Sequence, residues 1–563
     1  MVIKVFTFLN KEISGLHEAA YLLGFFALAS QVLALFRDRL FAGLFGAGNI
    51  LDIYYAAFRI PDMILISAAS VVSVSILIPF LVERLDNSKE DGKKFIDGLF
   101  TIFFGGIVIV SALAFFTAPF FLRLLFPGFN GGPDEANLVL LSRIMLLQPI
   151  FLGLSNLFAS ITQVYRRFLV YALSPLAYNL GIIIGILAFY PVLGMSGLGW
   201  GVVFGAFLHF ALQISILFGQ KLIPKFTLKI PWTDIKNVFL VSVPRTLTMG
   251  AGNGAILILL SFASLMSAGS IAVFNLAWNL QSAPLAIIGA SYSVAAFPTL
   301  SRLFKNGNQA LFLHNVESAV RHIVFWSAPA MVLFIVLRAH IVRTIFGFGE
   351  FGWGETRLTA AALAIFSISV MAQSLLVLFV RAYYAFGNTR RPLVVNILGS
   401  IFIVFLGFIF TRLFNGMPIV RFFLEDLLKV GGLSGTEVLV LPLAYSIGIV
   451  SIVSVLWICF QNDFARFTPS IYRNVFHSLS GAIIMGFVAY LSLNLSDEFF
   501  TLQTVRSVFF HGFISGCAGI VAGIAVLVVV GNTEIREVWR TFHHKIWRSK
   551  LRVTVDANDN PNM

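Results

Sequence analysis

The chain has 563 residues, of which 58% are hydrophobic and only 12% are charged, and its mean hydropathy is +0.91. A soluble domain carries roughly 25% charged residues, so this composition excludes a water-soluble globular protein. The formal net charge of +13 does not indicate nucleic-acid binding, because the sequence has no basic face with interleaved aromatic residues.

Apolar runs of about 20 residues recur along the chain, and each is long enough to cross a bilayer as a helix. The first run ends in Arg37, Asp38 and Arg39 without a small-residue cleavage site, so we interpret it as a retained helix and not as a signal peptide. We predict an all-α integral membrane protein with about fourteen transmembrane helices. The predicted spans begin near residues 16, 50, 97, 136, 168, 195, 237, 270, 318, 357, 391, 438, 472 and 505.

Lysine and arginine are concentrated in alternate connectors between these spans. By the positive-inside rule the basic connectors lie in the cytoplasm, and we expect both termini there. The linker 221–236 mixes lysines with apolar and aromatic residues. The sequence leaves open whether this linker is an amphipathic segment on the membrane surface or a plain connector.

Three short motifs recur in the same order at nearly one spacing. The motif beginning at Pro175 recurs 217 residues later, and two others recur 220 residues later. The paired motifs begin at Pro175 and Pro392, at Arg123 and Arg343, and at Ala57 and Ala277. One repeat holds six predicted helices, an even number, so the two copies share one orientation in the membrane.

The repeat predicts two parallel six-helix lobes around a central cavity, followed by two further helices. We predict an N-terminal lobe with its cytoplasmic linker at 1–236 and a C-terminal lobe at 237–466. Two extra transmembrane helices follow at 467–530, and a basic cytoplasmic tail covers 531–563. Two such lobes suit transport by alternating access.

Charged residues inside the spans are the main candidates for function, because an ionisable group at the bilayer centre costs about 2.5–3.5 kcal/mol. Asp52, Arg59 and Asp62 either neutralise each other near a helix end or face a cavity. Arg37 and Arg143 are candidates to line the cavity, whereas Arg245 either lines it or extends to the cytoplasmic surface. The eighth span also carries polar residues on one face, which packs against other helices or lines a substrate path. These polar residues are Asn275, Asn279 and Ser282.

The sequence has no hydrolytic, redox or metal-binding motif, such as HExxH, GxSxG or a P-loop. We therefore expect a protein that is not an enzyme and that needs no cofactor or metal. Several arginines with few unpaired acids suit an anionic substrate, because arginine binds phosphate in a bidentate manner. This pattern favours phosphate-bearing lipid headgroups over cationic drugs.

The first two spans resemble the MurJ/MviN family of lipid II flippases, which belongs to the superfamily of MATE-like exporters. The family pattern there is approximately S-R-x-x-G-x-x-R-[DE], then F-G-x-G, then D, then A-F-[RK]-[IL]-P. The matching segments are 30–38, 45–48, Asp52 and 57–61. Length, span number, repeat and orientation agree with the family, so the resemblance covers essentially the whole chain.

Arg37, Asp38 and Asp52 match charged positions of the family, but other family charges fall on uncharged residues. Those residues are Gln31, Leu65 or Ile66, the stretch 69–72, Asn279 and Ser282. The resemblance implies that the fold is shared and that the charged transport site is shared in part.

The resemblance also implies a flippase that moves lipid II from the inner to the outer leaflet of the bacterial plasma membrane. Arg37, Arg143 and Arg245 would hold the diphosphate–sugar headgroup, and the polyprenyl tail would lie along the two helices after residue 470. We expect lipid II and membrane lipids as partners, possible contact with cell-wall synthesis proteins, and a monomeric chain. The candidate substrate-binding residues are Arg37, Asp38, Asp52, Arg59, Arg143, Arg245, Gln31 and Asn279.

Three alternatives stay open at this point. The chain is a flippase for another undecaprenyl-diphosphate-linked saccharide, a cation-coupled multidrug exporter, or a non-transporting cell-wall scaffold. An acidic residue that faces the cavity without an arginine partner would favour the exporter.

Overall fold

The computed structural model describes residues 16–547, apart from residues 72, 73, 166, 221, 222, 465, 466, 468 and 501–503. Within these described residues all regular secondary structure is helical, so the prediction of an all-α membrane protein is confirmed. The first ten α-helices are α1 (Leu16–Phe45), α2 (Asn49–Ala57), α3 (Arg59–Val71), α4 (Val74–Asn87), α5 (Lys89–Leu125), α6 (Pro133–Met145), α7 (Leu147–Val164), α8 (Phe168–Ile184), α9 (Tyr190–Leu193) and α10 (Met195–Gln220).

Twelve more α-helices follow, and a π-helix at Leu285–Ala290 joins the second to the third of them. They are α11 (Trp232–Ser264), α12 (Ser270–Pro284), α13 (Ser291–Lys305), α14 (Gln309–Val336), α15 (Arg338–Phe346), α16 (Trp353–Ala385), α17 (Arg390–Gly416), α18 (Pro418–Leu428), α19 (Val440–Asp463), α20 (Pro469–Ser496), α21 (Val505–Val529) and α22 (Thr533–Trp547).

Twelve helical runs in the described part of the chain are long and apolar enough to cross a membrane, and the first begins at Lys89. The two spans that we predicted before residue 89 correspond to α1 and to the three shorter helices α2–α4. Pro61 lies in the first turn of α3, where a residue without an N–H is tolerated. Since neither α1 nor α2–α4 is among the twelve runs, the number fourteen stays a prediction.

The chain divides into two compact units. The first contains Met1–Ala283, Val342–Phe366 and Asn388–Ile452, and the second contains Pro284–Ile341, Ser367–Gly387 and Val453–Met563. The lobe boundaries that we predicted after residues 236, 466 and 530 stay predictions.

In the first unit, α8 and α10 approach each other so closely that only glycine fits at the contact. A Cβ atom on Gly181 would lie 2.2 Å from the Cα atom of Gly205, and a Cβ on Gly185, which begins a short π-helix directly after α8, would lie 2.4 Å from the Cα of Gly201. Small residues that let membrane helices approach closely are a common basis of helix association in lipid. This contact fixes α8, which carries Asn179, against its neighbour.

The described part of the linker 221–236 is not helical before α11 begins at Trp232. Asp97 of α5 accepts a hydrogen bond from the backbone N–H of Lys225 at 2.9 Å. The hydroxyl of Thr101 accepts another from the N–H of Thr227 at 3.0 Å. These hydrogen bonds hold the described part of the linker against α5, and the choice between a surface segment and a plain connector stays open.

In the second unit, α20 and α21 pack closely through small residues. A Cβ atom on Gly519 would lie 2.6 Å from the carbonyl oxygen of Met485. The carboxylate of Glu534, which is 2% exposed, accepts a hydrogen bond from Asn474 at 3.0 Å and lies 3.6 Å from Arg321. These contacts fasten α22, in the predicted basic tail, to α14 and α20.

Candidate functional site

Arg37 and Asp38 lie near the end of α1 and form a close ion pair within the first unit. The Nε and Nη2 atoms of Arg37 donate to Oδ1 of Asp38 at 2.9 and 2.7 Å. The side chain of Asp38 is 3% exposed and that of Arg37 is 20% exposed. The pair is therefore largely removed from solvent, while the Arg37 side chain as a whole stays partly exposed.

Two asparagines from other helices complete this network. Nη1 of Arg37 donates to Oδ1 of Asn179 in α8 at 2.9 Å, and Nδ2 of Asn279 in α12 donates to Oδ2 of Asp38 at 3.0 Å. The structure thus brings together three predicted residues, Arg37, Asp38 and Asn279. We missed Asn179, although it ends the repeated motif that begins at Pro175 and that signal points to it.

Asp52 lies in α2 and accepts hydrogen bonds at the beginning of α12. Its Oδ2 accepts from the backbone N–H of Gly269 at 2.6 Å, and its Oδ1 accepts from the N–H of Ala272 at 2.7 Å. The first N–H groups of a helix have no partner within the helix, and the helix dipole favours an anion there. Asp52 therefore acts as a helix cap for α12 in this structure and does not pair with Arg59.

Arg59 and Asp62 contact polar residues of neighbouring helices. Nη2 of Arg59 donates to Oδ1 of Asn275 in α12, while its buried Nε has no hydrogen-bond partner among the described atoms. Nε2 of Gln148 in α7 donates to Oδ1 of Asp62 at 3.5 Å. Asn275 and Asn279 thus both make interhelical contacts, whereas the hydroxyl of Ser282 donates to the carbonyl of Asn279 in its own helix.

Arg39 is a second basic residue that contacts another helix, and we did not predict this contact from the sequence. Its Nη1 donates to the carbonyl oxygens of Thr344 and Ile345 at 2.6 and 2.8 Å, and its guanidinium lies 4.9 Å from the ring centre of Phe348. Thr344 and Ile345 belong to the last turn of α15, where carbonyl groups lack helical partners and a cation is favourable. Nearby, the carbonyl of Gly43 accepts from the N–H of Glu350 at 2.8 Å.

The other predicted residues lie outside this network. Arg143 donates from Nε to the carbonyl oxygen of Phe115 at 3.1 Å, and its guanidinium lies 4.8 Å from the Phe115 ring centre. Gln31 is half-buried in α1. The backbone of Arg245 belongs to α11, but its side chain lies outside the described residues.

An apolar cavity of about 740 Å³ lies beside Arg59 in the first unit. It is bounded by α3, α5 and α11, and we call it the α5 groove. Representative lining residues are Met63, Phe103, Gly106, Val110, Phe121 and Leu257. The site therefore combines a charged network with an apolar groove, which suits a molecule with an anionic head and a hydrocarbon chain.

Comparison with known proteins identifies a matching protein family. A family model described as lipid II flippase MurJ matches residues 41–510. The chain is similar to the probable lipid II flippase MurJ of Buchnera aphidicola subsp. Schizaphis graminum, with 27% identity over 386 residues, 67% of this chain and 74% of that protein. It is also similar to the lipid II flippase MurJ of Burkholderia cenocepacia, with 24% identity over 380 residues, 66% of this chain and 74% of that protein.

Solved structures show the same fold. A lipid II flippase MurJ in an inward closed conformation matches with a TM-score of 0.72 and 23% identity, over 92% of this chain and 100% of that chain. An inward-facing multidrug resistance MATE transporter of the MOP superfamily matches with a TM-score of 0.61 and 16% identity, over 78% of this chain and 95% of that chain.

Proposed function

Because this chain belongs to the lipid II flippase MurJ family, we propose that it moves lipid II from the inner to the outer leaflet by alternating access. The chain is a multi-pass protein of the bacterial inner membrane. Lipid II is a lipid-linked saccharide with a diphosphate, so its transport requires a polar site for the headgroup within an apolar protein. No covalent bond of the substrate changes, and the proposed role is that of a transporter and not of an enzyme.

The contacts of Arg37 are the observation that carries this proposal. The Arg37 side chain is partly exposed, and all the described hydrogen bonds of its guanidinium go to Asp38 and Asn179. A diphosphate oxygen that approaches Arg37 would replace the neutral amide oxygen of Asn179 with a charged acceptor, and a hydrogen bond between two opposite charges is stronger than one with a neutral acceptor. Arg37 can therefore replace its neutral partner, Asn179, with a phosphate oxygen of the substrate.

Asp38 links this exchange to a change of conformation. It contacts both Arg37 in its own helix and Asn279 in α12. A diphosphate on Arg37 repels the Asp38 carboxylate and weakens the α1–α12 contact. Substrate binding thereby favours the state in which α1 and α12 separate, which is the requirement for a ligand to shift a conformational equilibrium.

In this proposal, the contacts of Asp52 and Arg39 with helix ends keep the transporter closed on its external side. If both termini are cytoplasmic, as the basic connectors predict, the end of α1 and the beginning of α12 lie on the external side. Asp52 then holds the beginning of α12, and Arg39 holds the end of α15. Opening toward the outside requires these charge-assisted hydrogen bonds to break.

The candidate substrate-binding set has two roles under this proposal. Arg37, Asp38 and Asn279 respond to the headgroup directly, whereas Asp52 and Arg59 hold α12 against the first repeat. Gln31, Arg143 and Arg245 contribute only if they approach the headgroup in another conformation. In this proposal the chain acts as a monomer. Lipid II enters it from the surrounding membrane lipids and returns to them, and cell-wall synthesis proteins are candidate partners.

Binding of lipid II to the purified protein tests the role of Arg37. We expect native mass spectrometry to show lipid II bound to the wild type and to the Arg412→Ala variant, whose arginine stacks on Phe408 and is outside the candidate binding set. We expect Arg37→Ala to reduce occupancy by about tenfold or more, since one charged hydrogen bond is worth at least that factor. Equal occupancy in the wild type and Arg37→Ala would remove Arg37 from the proposed site.

Asp62 favours a second candidate function, cation-coupled export. It contacts Gln148 at 3.5 Å and interacts electrostatically with Arg59 without a direct ion pair among the described residues. A buried acid that forms no direct ion pair in a membrane protein is a candidate site for a coupling cation. Efflux of a fluorescent organic cation that depends on Asp62, and disappears in Asp62→Asn, would favour this function over lipid II transport.

A further inference from the structure

Helix α18 has an exposed apolar surface close to the end of a membrane helix. Only Met417 separates it from α17, which is long and apolar enough to cross a membrane. Residues three and four apart share one side of a helix, and four large apolar residues of α18 with this spacing are 62–83% exposed. We call them the α18 face, and they are Ile419, Phe422, Phe423 and Leu427. A contiguous apolar surface of this kind is unfavourable in water and marks a contact with lipid or protein.

The opposite side of α18 is fixed to the protein by polar contacts. Glu425, which is buried, accepts hydrogen bonds from the hydroxyl of Thr436 at 2.6 Å and from Nε of Arg421 at 2.8 Å. At the end of the helix, Nε of Arg357 in α16 donates to the carbonyl oxygen of Lys429 at 3.1 Å. A cation is favourable there because the last carbonyl groups of a helix have no helical partner. These contacts hold α18 in one orientation, with the α18 face turned away from the protein.

The α18 face continues the lipid-facing surface of α17. In the half of α17 that is nearer to α18, Ile401, Phe405 and Phe408 are each at least 50% exposed. Large apolar residues that a membrane helix turns away from the protein contact the hydrocarbon of the bilayer. Met417, which joins the two helices, is also exposed. The exposed apolar surface therefore passes from α17 to α18 without interruption.

The length of α17 places α18 at the level of the lipid headgroups. The stretch 392–411, between Arg391 and Arg412, contains no charged residue. It spans about 30 Å at a helical rise of about 1.5 Å per residue, which is the thickness of the hydrocarbon core of a bilayer. From Arg412 to the end of α17 at Gly416 the helix rises about 6 Å further, and the headgroup layer is about 5–7 Å thick on each side. α18 therefore begins within the headgroup layer.

The charged residues of α18 are compatible with this position. Arg421 pairs with Glu425 on the protein side. Asp426 is exposed on the same side as the α18 face, but it lies in the last turn of the helix, and Lys429 follows that turn. Interfacial helices place apolar residues at the acyl boundary and charged residues among the headgroups. We therefore expect the first two turns of α18 to lie deepest and its end to lie nearer to water.

We propose that the α18 face lies on the outer leaflet of the membrane, with Ile419, Phe422 and Phe423 at the boundary between headgroups and acyl chains. The leaflet follows from Arg390 and Arg391 at the opposite end of α17, since the positive-inside rule places such residues in the cytoplasm. The cover of the α18 face is then phospholipid, and not a second copy of the chain or another protein. This inference does not depend on the proposed function.

The accessibility of nitroxide labels in proteoliposomes tests this position. The full chain, with Cys459 and Cys517 replaced by alanine, carries one labelled cysteine at a time in vesicles of phosphatidylethanolamine and phosphatidylglycerol. Phe423→Cys reports on the α18 face, Phe405→Cys on the lipid-facing surface of α17, and Ser434→Cys on an exposed position beyond α18. Oxygen concentrates in hydrocarbon, whereas a nickel chelate stays in water. We expect the ratio of oxygen to nickel collisions to be severalfold higher for Phe423→Cys than for Ser434→Cys, and closer to that for Phe405→Cys.

The same labels identify the other possible covers. Equal ratios for Phe423→Cys and Ser434→Cys would show that the α18 face contacts water in a complete bilayer and would overturn the inference. Dipolar coupling between labels at Phe423→Cys would also overturn it, because a second copy would then cover the face. Ile419→Cys, at the most exposed residue of the α18 face, provides an independent label that should give the same result.

A photoreactive phospholipid tests the chain without any substitution. The lipid carries a diazirine in its acyl chain close to the glycerol, and the labelled peptides are identified by mass spectrometry. We expect adducts on residues 417–427 as well as on the lipid-facing surface of α17. Adducts on α17 without adducts on 417–427 would overturn the inference. Neither experiment uses lipid II, so a failure of the proposed function leaves both results valid.

Discussion

The carboxylate of Asp52 accepts a hydrogen bond from the backbone N–H of Ala272 at 2.7 Å, and these two residues occupy equivalent positions in the predicted internal repeat. Both lie five residues before the paired motifs at Ala57 and Ala277. An acid in the first predicted copy therefore caps the helix that begins near the corresponding position of the second predicted copy.

Replacing Asp52 by asparagine should weaken this cap. The amide side chain of Asp52→Asn would offer one oxygen acceptor and no charge to the N–H groups of Gly269 and Ala272, so we expect a loss of about 1–3 kcal/mol of stability. The midpoint of thermal denaturation in detergent measures the change. Asp426→Asn, at an exposed position of α18, is the control and should change stability by less than about 0.5 kcal/mol.

Arg39 should be more sensitive to substitution than an arginine that only stacks on a ring. Arg39→Ala removes two hydrogen bonds to the carbonyls of α15 as well as the contact with Phe348, and we expect a loss of about 2–3 kcal/mol. Arg412→Ala removes a guanidinium that lies 5.3 Å from the ring centre of Phe408 and should cost about 0.5–1 kcal/mol. Equal thermal shifts in the two variants would show that the carbonyl contacts of Arg39 contribute little.

The sequence predicted the residue types of the site better than their partners. Arg37, Asp38 and Asn279 were candidates because charged and amide groups inside apolar spans need partners, and the structure brings these three together. Periodicity cannot pair Arg37 with Asn179, which lies 142 residues away. It also cannot show that Asp52 reaches a helix terminus rather than Arg59, because that choice depends on how α2 and α12 approach each other.

Where the apolar runs were long, hydropathy predicted the helices. The second predicted span was different, since the structure divides it into α2, α3 and α4. A hydropathy pattern averages over such breaks, whereas Pro61 and the change of helix at Phe58 are local backbone features. For the same reason the length of a run alone cannot decide whether α1 and α2–α4 span the membrane.

A methyl group added at the glycine contact between α8 and α10 should destabilise the protein. Gly181→Ala places a methyl group against the backbone of Gly205 at 2.2 Å, which forces the helices apart and should cost about 1–3 kcal/mol. Gly105→Ala adds the same methyl group where nothing lies within 4 Å and should be neutral or slightly stabilising. The yields of folded protein and the denaturation midpoints of the two variants measure the difference.

The ionisation of Glu425 in α18 should make the stability of the folded protein depend on pH. Burial raises the pKa of this carboxyl, but the hydrogen bond from Thr436 and the ion pair with Arg421, at 2.6 and 2.8 Å, hold it below its usual range. Because the folded pKa is depressed, the stabilisation is present above the unfolded pKa of about 4.3 and is lost as the pH falls through the folded pKa.

The Glu425→Gln variant tests this dependence. We expect it to be less stable than the wild type near neutral pH and to approach the stability of the wild type in acid, where Glu425 is protonated in both the folded and the unfolded chain. Denaturation midpoints of both proteins across this pH range provide the measurement. A constant difference between them at all pH values would show that the charge of Glu425 does not stabilise the fold.

Surface exposure of lipid II in bacteria depleted of their own lipid II flippase tests the central claim most directly. Cells that express this chain should recover accessible lipid II on the outer leaflet, and cells that express Arg37→Ala should not, although both proteins insert into the membrane to the same level. If the wild-type chain is inserted normally and lipid II exposure stays at the depleted level, the chain does not transport lipid II.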